Sequence, residues 1–156
     1  MARAMLEICR SEGKTQLLIH SRADVAVAIR ADGVHLTSDH GELTPEQVRT
    51  LYSSASLPEP VISISCHTPA EVVRARDLGA ELILFGPVFE KVVAAPGTIS
   101  GDRIVANGTG LEILRTACSA AAPVAVLALG GVTEANAQNC IDAGASGIAG
   151  IRLFCG

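Results

Sequence analysis

Short apolar runs alternate with helical segments along nearly the whole chain, and this alternation restricts the fold more than any other feature of the sequence. Residues 16–19, 34–36, 61–65, 82–85, 124–129 and 147–151 read as strands. Helical segments fall at about 23–30, 44–52, 68–79, 111–120 and 133–144. A further helix covers residues 1–12, with Met5, Ile8 and Cys9 on one side and Gly13 as its stop. Hairpin signals are almost absent, and a connection long enough to hold a helix is what parallel neighbours require. The expectation is a parallel sheet covered by helices, closed as a (β/α) barrel or left open as a doubly wound layer.

Local signals agree with that reading. Thr44-Pro45-Glu46-Gln47 and Thr68-Pro69-Ala70-Glu71 carry a capping residue, a proline at the first helical position and an amide or carboxylate at the third. Ala31-Asp32-Gly33-Val34, Gly79-Ala80-Glu81-Leu82 and Gly144-Ala145-Ser146-Gly147 form a faint repeat that joins a helix end to a strand by a short turn. One stretch departs from the rhythm. Residues 90–110 are glycine-rich and show little periodicity, so they read as a long loop of the lid or flap kind, the most mobile part of the free chain.

A chain of 156 residues with 49% hydrophobic content forms one domain, residues 1–156, with a core of ordinary size. A net charge of −4, three Phe and one Tyr give neither a basic track nor stacking platforms, which argues against nucleic acid as a partner. The five cysteines form no C-x-x-C pair, and their odd number argues against a disulfide framework, pointing to the reducing cytoplasm. No stretch resembles a signal peptide or reaches the ~20 apolar residues of a membrane helix.

Polar residues collect at the predicted strand ends, where parallel α/β folds build their sites. The last strand–helix–strand unit is the most informative. Its first strand ends at Gly130-Gly131, which lets backbone N–H groups approach a ligand, and its second ends at Arg152, whose guanidinium suits a phosphate. Tight packing is the competing explanation of the two glycines. His67 lies two residues after Ser65 and is read as a general acid/base or phosphate ligand, against a cap on the next helix. His20 and Ser21 also end a strand, and Arg22 after them fits a structural ion pair equally well. His35, inside a strand, reads as a satisfied interior histidine and not as a ligand. Asp39 and His40 are placed for a loop carboxylate to reach Mg2+, or simply to be solvated, and Cys66 reads as buried.

Three stretches together resemble the thiamine phosphate synthase family and its thiazole tautomerase relatives. They are Ala31 to Leu36, residues 79–89 ending in Gly86-Pro87-Val88-Phe89, and Ala128 to Asn136 followed by Ala143 to Ala149. The resemblance implies a (β/α)8 barrel and a reaction that joins an aminopyrimidine diphosphate to a thiazole phosphate, with loss of Mg2+-bound pyrophosphate. It implies that Gly130, Gly131, Ile151 and Arg152 hold the thiazole phosphate, that Ser65 contacts the diphosphate, and that His67 is the acid/base of a tautomerase. Departures accompany it. His20-Ser21 stands where the synthases carry Asn-Asp, the second expected carboxylate falls on His40 beside Asp39, and Lys91 is left as the nearest cation after Gly-Pro-x-Phe. Only about six of the eight strands are found, whereas a barrel ordinarily needs at least ~200 residues. The expectation is therefore an incomplete barrel lacking its N-terminal part, including a Gln-x-Arg-x-Lys segment. Such a chain is a synthase, a tautomerase, or a non-catalytic thiazole-phosphate-binding relative, and it self-associates through the unpaired edges at 16–19 and 147–151.

Overall fold

The computed structural model describes residues 1–39, 41–94, 103–150 and 153, without the side chains of residues 91–94, 103 and 104. In chain order the elements are α1 (Ala2–Glu12), β1 (Leu18–His20), α2 (Ala23–Ile29), β2 (Gly33–Leu36), α3 (Pro45–Ser54), β3 (Val61–Cys66) and α4 (Pro69–Asp77). There follow β4 (Leu82–Phe85), β5 (Lys91–Ala94), β6 (Arg103–Ala106), α5 (Leu111–Ala121), β7 (Ala125–Leu129), α6 (Glu134–Asp142) and β8 (Gly147–Ala149). Six strands pair in parallel in the order β1-β2-β3-β4-β7-β8. This is an incomplete (β/α) barrel, and among the described residues β1 and β8 are each paired on one side only.

The pleat separates the side chains of each strand into two sets. Val34 and Leu36 on β2, Ile62, Ile64 and Cys66 on β3, Ile83 and Phe85 on β4, and Val126 and Ala128 on β7 are buried against the helices. The other set is in register across the sheet: His20 lies opposite His35, His35 opposite Ser63, Ser65 opposite Leu84, and Leu84 opposite Leu127. That face is polar toward the C-terminal ends of β1–β3 and apolar from β4 onward, and it is mostly half-buried.

Helix starts follow the local chemistry. Thr44 and Gln47 form a reciprocal capping box at α3, with the Gln47 N–H donating to Thr44 Oγ1 at 3.3 Å and Thr44 N–H to Gln47 Oε1 at 2.8 Å. Gly13 ends α1 in the left-handed conformation. Leu6 is the buried residue of α1, while Met5 and Ile8 of its expected apolar stripe are exposed. The first strand begins later than the sequence predicts because Leu17 N–H donates to the Asp32 carboxylate at 2.7 Å instead of joining the ladder. His20 thereby becomes part of β1. At the same end of the sheet Glu81 accepts from Ile62 N–H at 2.8 Å and is paired with Arg49.

Within residues 90–110, where the sequence predicts a long loop, residues 91–94 and 103–106 are strands. β5 and β6 pair as an antiparallel two-stranded sheet, with Lys91 opposite Ala106 and Ala94 opposite Arg103. The β-branched runs Val92-Val93 and Ile104-Val105 suit a strand, and the glycines near them obscure that signal. The expected mobility falls in part on residues 95–102, which lie outside the described residues.

Candidate functional site

The C-terminal ends of the parallel strands bring His20, His67, Gly86 and Gly130 to one mouth, with Ser65 just inside it. His67 is the first residue after β3. Thr68, and not His67, caps α4: its Oγ1 accepts from Glu71 N–H at 3.2 Å, and the Glu71 carboxylate accepts from His67 N–H at 2.6 Å. The imidazole is left to contact the carbonyl of Gly86 through Nδ1 at 2.5 Å. A carbonyl can only accept, so Nδ1 carries the proton and Nε2 keeps its lone pair. An exposed histidine oriented this way can take and return a proton.

The carbonyl that orients His67 belongs to the segment after β4, whose Gly86–Pro87 peptide is cis. This segment pairs with the end of β7: Val88 N–H donates to Leu129 O at 2.9 Å and Phe89 N–H to Gly130 O at 3.0 Å. Gly130 and Gly131 both have positive φ, 91° and 65°. A Cβ on Gly130 would lie 2.6 Å from Pro87 Cα, and one on Gly131 2.7 Å from Phe89 Cβ. Close packing alone therefore requires both glycines. Asn136 fixes the turn from the other side, donating through Nδ2 to Gly131 O at 3.0 Å and accepting from Thr133 N–H at 2.8 Å. Its place in the sequence motif is legible, but its clamp on the turn is not.

Inside the mouth, His35 bridges two serines of β3, with Nδ1 2.8 Å from Ser63 Oγ and Nε2 2.9 Å from Ser65 Oγ. The expectation of a satisfied interior histidine is met. His20 stacks on it at 5.4 Å between ring centroids. Burial first, and the neighbouring His20 second, lower the His35 pKa from 6.5, against the opposing pull of Glu42. Glu42 itself accepts from Ser21 Oγ at 2.5 Å. Arg22 pairs with Asp24 at 2.6 Å on the surface, the structural alternative for that residue. Burial, followed by Glu71, pushes the Cys66 thiol up to about 12, so Cys66 is a core residue and not a thiolate nucleophile.

Asp39 is exposed and closes a local turn, its Oδ1 accepting from Gly41 N–H at 3.2 Å. Among the described residues no group of three His, Cys, Asp or Glu side chains is placed to hold a metal ion. Asp39 accepts from Gly41 N–H and Glu42 from Ser21 Oγ, so among the described residues no Mg2+ centre is assembled in advance of a ligand. His40, Ile151 and Arg152 lie outside the described residues, as does the side chain of Lys91, whose backbone belongs to β5. A separate cavity of about 360 Å³ opens between α3 and α4, lined in part by Asp39, Glu42, Glu71 and Arg74. It borders Leu36 and Ile64, on the helix-covered side of the sheet.

Parallel strands with helices on one face and polar side chains at their C-terminal ends define a (β/α)-barrel architecture. Within that class the chain belongs to the thiamine monophosphate synthase family, whose model matches residues 1–154. It is similar to the thiamine-phosphate synthase of Salinibacter ruber, with 34% identity over 95% of this chain and 58% of that protein. The thiamine-phosphate synthase of Roseiflexus is 32% identical over 100% of this chain and 59% of its own length. The thiamine phosphate pyrophosphorylase structure from Pyrococcus furiosus superposes with a TM-score of 0.70 at 26% identity, covering 97% of this chain and 68% of that one. The chain thus spans about six-tenths of the length of the two synthases.

Proposed function

We propose that this chain carries the phosphate-holding part of a thiamine phosphate synthase site. The reaction joins the thiazole nitrogen to the methylene carbon of an aminopyrimidine diphosphate. The carbon–oxygen bond to the diphosphate breaks, and its electron pair leaves with pyrophosphate. The observation that carries the reading is the Gly130-Gly131 turn, held between the 86–89 segment and Asn136 at the mouth of the sheet. Such a turn is suited to present backbone N–H groups to the thiazole phosphate, with Ile151 and Arg152 following β8 as further contacts. Ser65 faces the diphosphate, and Lys91 and His20 are further phosphate contacts. Mg2+ is the expected companion of the diphosphate, although no step is assigned to it. Titration with thiazole phosphate followed by amide resonances tests the site: shifts centred on residues 130–131 are expected, and unperturbed spectra would sink it. Thiamine phosphate formation from both substrates then measures turnover.

A second reading, thiazole tautomerase, is favoured by the orientation of His67. A free Nε2 at an exposed strand end is what proton transfer between two positions of a ring requires, and no metal is needed for it. His67→Ala should slow tautomerisation by about 10²-fold or more if His67 is the acid/base. An unchanged rate would remove this reading.

Among the described residues no helix is long and apolar enough to cross a membrane. We read the chain as a cytoplasmic protein that acts on small phosphorylated molecules. Self-association belongs to the same proposal. Among the described residues β1 and β8 have one unpaired side each, and Leu82, Leu84 and Leu127 are only half-buried on the inner face. A second copy of the chain can cover both features. Sedimentation at several protein concentrations should show a mass that rises with concentration, and a constant monomer mass would overturn this part.

A further inference from the structure

The inner face contains an arrangement that the roles assigned so far leave unused. One imidazole, on β2, spans two hydroxyls spaced i and i+2 on β3, and both contacts are within hydrogen-bonding distance. Neutral imidazole has one N–H and one bare nitrogen, so it cannot treat the two serines alike. It donates to one hydroxyl and accepts from the other. Ser63 is buried and Ser65 only half-buried, so of the two it is Ser65 that faces toward a ligand.

The two tautomers give Ser65 opposite characters. With the proton on Nδ1, Ser63 accepts and the Ser65 hydroxyl spends its hydrogen on Nε2, leaving Ser65 only lone pairs for a ligand. With the proton on Nε2, Ser65 accepts from His35 and its own O–H is free to donate. Ser63 then donates to Nδ1, so every group in the chain of bonds is still satisfied. An anionic oxygen needs a donor and is repelled by lone pairs. We propose that His35 is a positioning residue which sets the polarity of the Ser65 hydroxyl, and that an anionic diphosphate oxygen at Ser65 selects the Nε2–H tautomer. The inference rests on the reading of Ser65 as a diphosphate contact. His20, stacked on the ring, and Glu42, bonded to Ser21, are the titratable groups that bear on His35.

Inorganic pyrophosphate is the probe. Two-bond proton–nitrogen correlation spectra of the His35 ring distinguish Nδ1–H from Nε2–H directly, and should show the Nε2–H form gaining population as pyrophosphate saturates the chain. His35→Phe removes both of these bonds and leaves the Ser65 hydroxyl unoriented, which should weaken pyrophosphate by about two- to tenfold, the net scale of one neutral hydrogen bond. His35→Gln, which keeps a donor near the Nε2 position, should recover part of that loss. Pyrophosphate bound by the wild type in a Ser65-dependent manner, with the His35 tautomer unmoved or the Phe variant equally tight, overturns the role of His35 and leaves the Ser65 contact standing. Pyrophosphate binding that Ser65→Ala leaves intact, or its absence in the wild type, overturns the diphosphate contact and this inference with it.

Discussion

The two faces of the parallel sheet are made from the same strands and have opposite characters. Toward the helices, Ile62, Ile83, Phe85 and Val126 lie at 0–2% exposure and form one continuous apolar cluster. Toward the concave side, the alternating residues of those strands are Ser63, Ser65, Leu82, Leu84 and Leu127, all but Ser63 only half-buried. One face pays for the fold through area removed from water, and the other is free to carry chemistry because stability does not depend on filling it.

The comparison can be broken most directly on β4, where adjacent residues point to opposite sides. Phe85→Ala on the helix face should cost about 3–5 kcal/mol, whereas Leu84→Ala on the inner face should cost about 1–2 kcal/mol. Urea unfolding of both variants at one protein concentration measures this. Equal losses would mean that the inner face is packed in solution and that its half-exposure misleads.

The helix-facing side was the legible one. Apolar runs of strand length, proline after a capping threonine and short Gly-Ala turns are local signals, and β2, β3, β4, β7 and the helices between them lie within a residue or two of where those signals put them. The inner face was much less legible, because its bonds join residues far apart in sequence. His35 meets serines 28 and 30 positions away, and His67 meets a carbonyl 19 positions away. Spacing identifies His67 as a strand-end residue, but only the assembled sheet shows that Thr68 relieves it of capping and that Gly86 sets its tautomer. The β5–β6 pairing was hidden for a similar reason: two four-residue runs carry little periodicity until they face each other.

A second test separates packing at the mouth from backbone conformation alone. Gly131 has φ 65° and no room for a Cβ, while Gly13 has φ 70° with nothing within 4 Å. Gly13→Ala should therefore lose only the left-handed conformational preference, about 1 kcal/mol. Gly131→Ala must also push Phe89 away and should cost about 2 kcal/mol or more, with loss of thiazole-phosphate binding. Matched thermal melts of the two variants measure the difference. Equal losses would show that the turn at the mouth is not held by the 86–89 segment.

The smallest effect concerns acid, and its sign follows from His35. Burial and His20 hold its folded pKa below the 6.5 of a free histidine. Below pH 6.5 the unfolded chain therefore binds protons that the folded chain refuses, so stability rises with pH across this range. The contribution is complete above the unfolded value, falls away as the pH drops through 6.5, and levels off beneath the lowered folded value. Glu42, which favours the charged form, limits its size. Helix-face residues such as Ile83 have no ionisable group and supply no such slope. Unfolding free energies measured from pH 8 to pH 5 should fall more steeply for the wild type than for His35→Phe, whatever the absolute stability of the variant. Parallel curves would mean that His35 is as free to protonate in the folded chain as in the unfolded one, and that the polar half of the inner face is more open to water than its hydrogen bonds indicate.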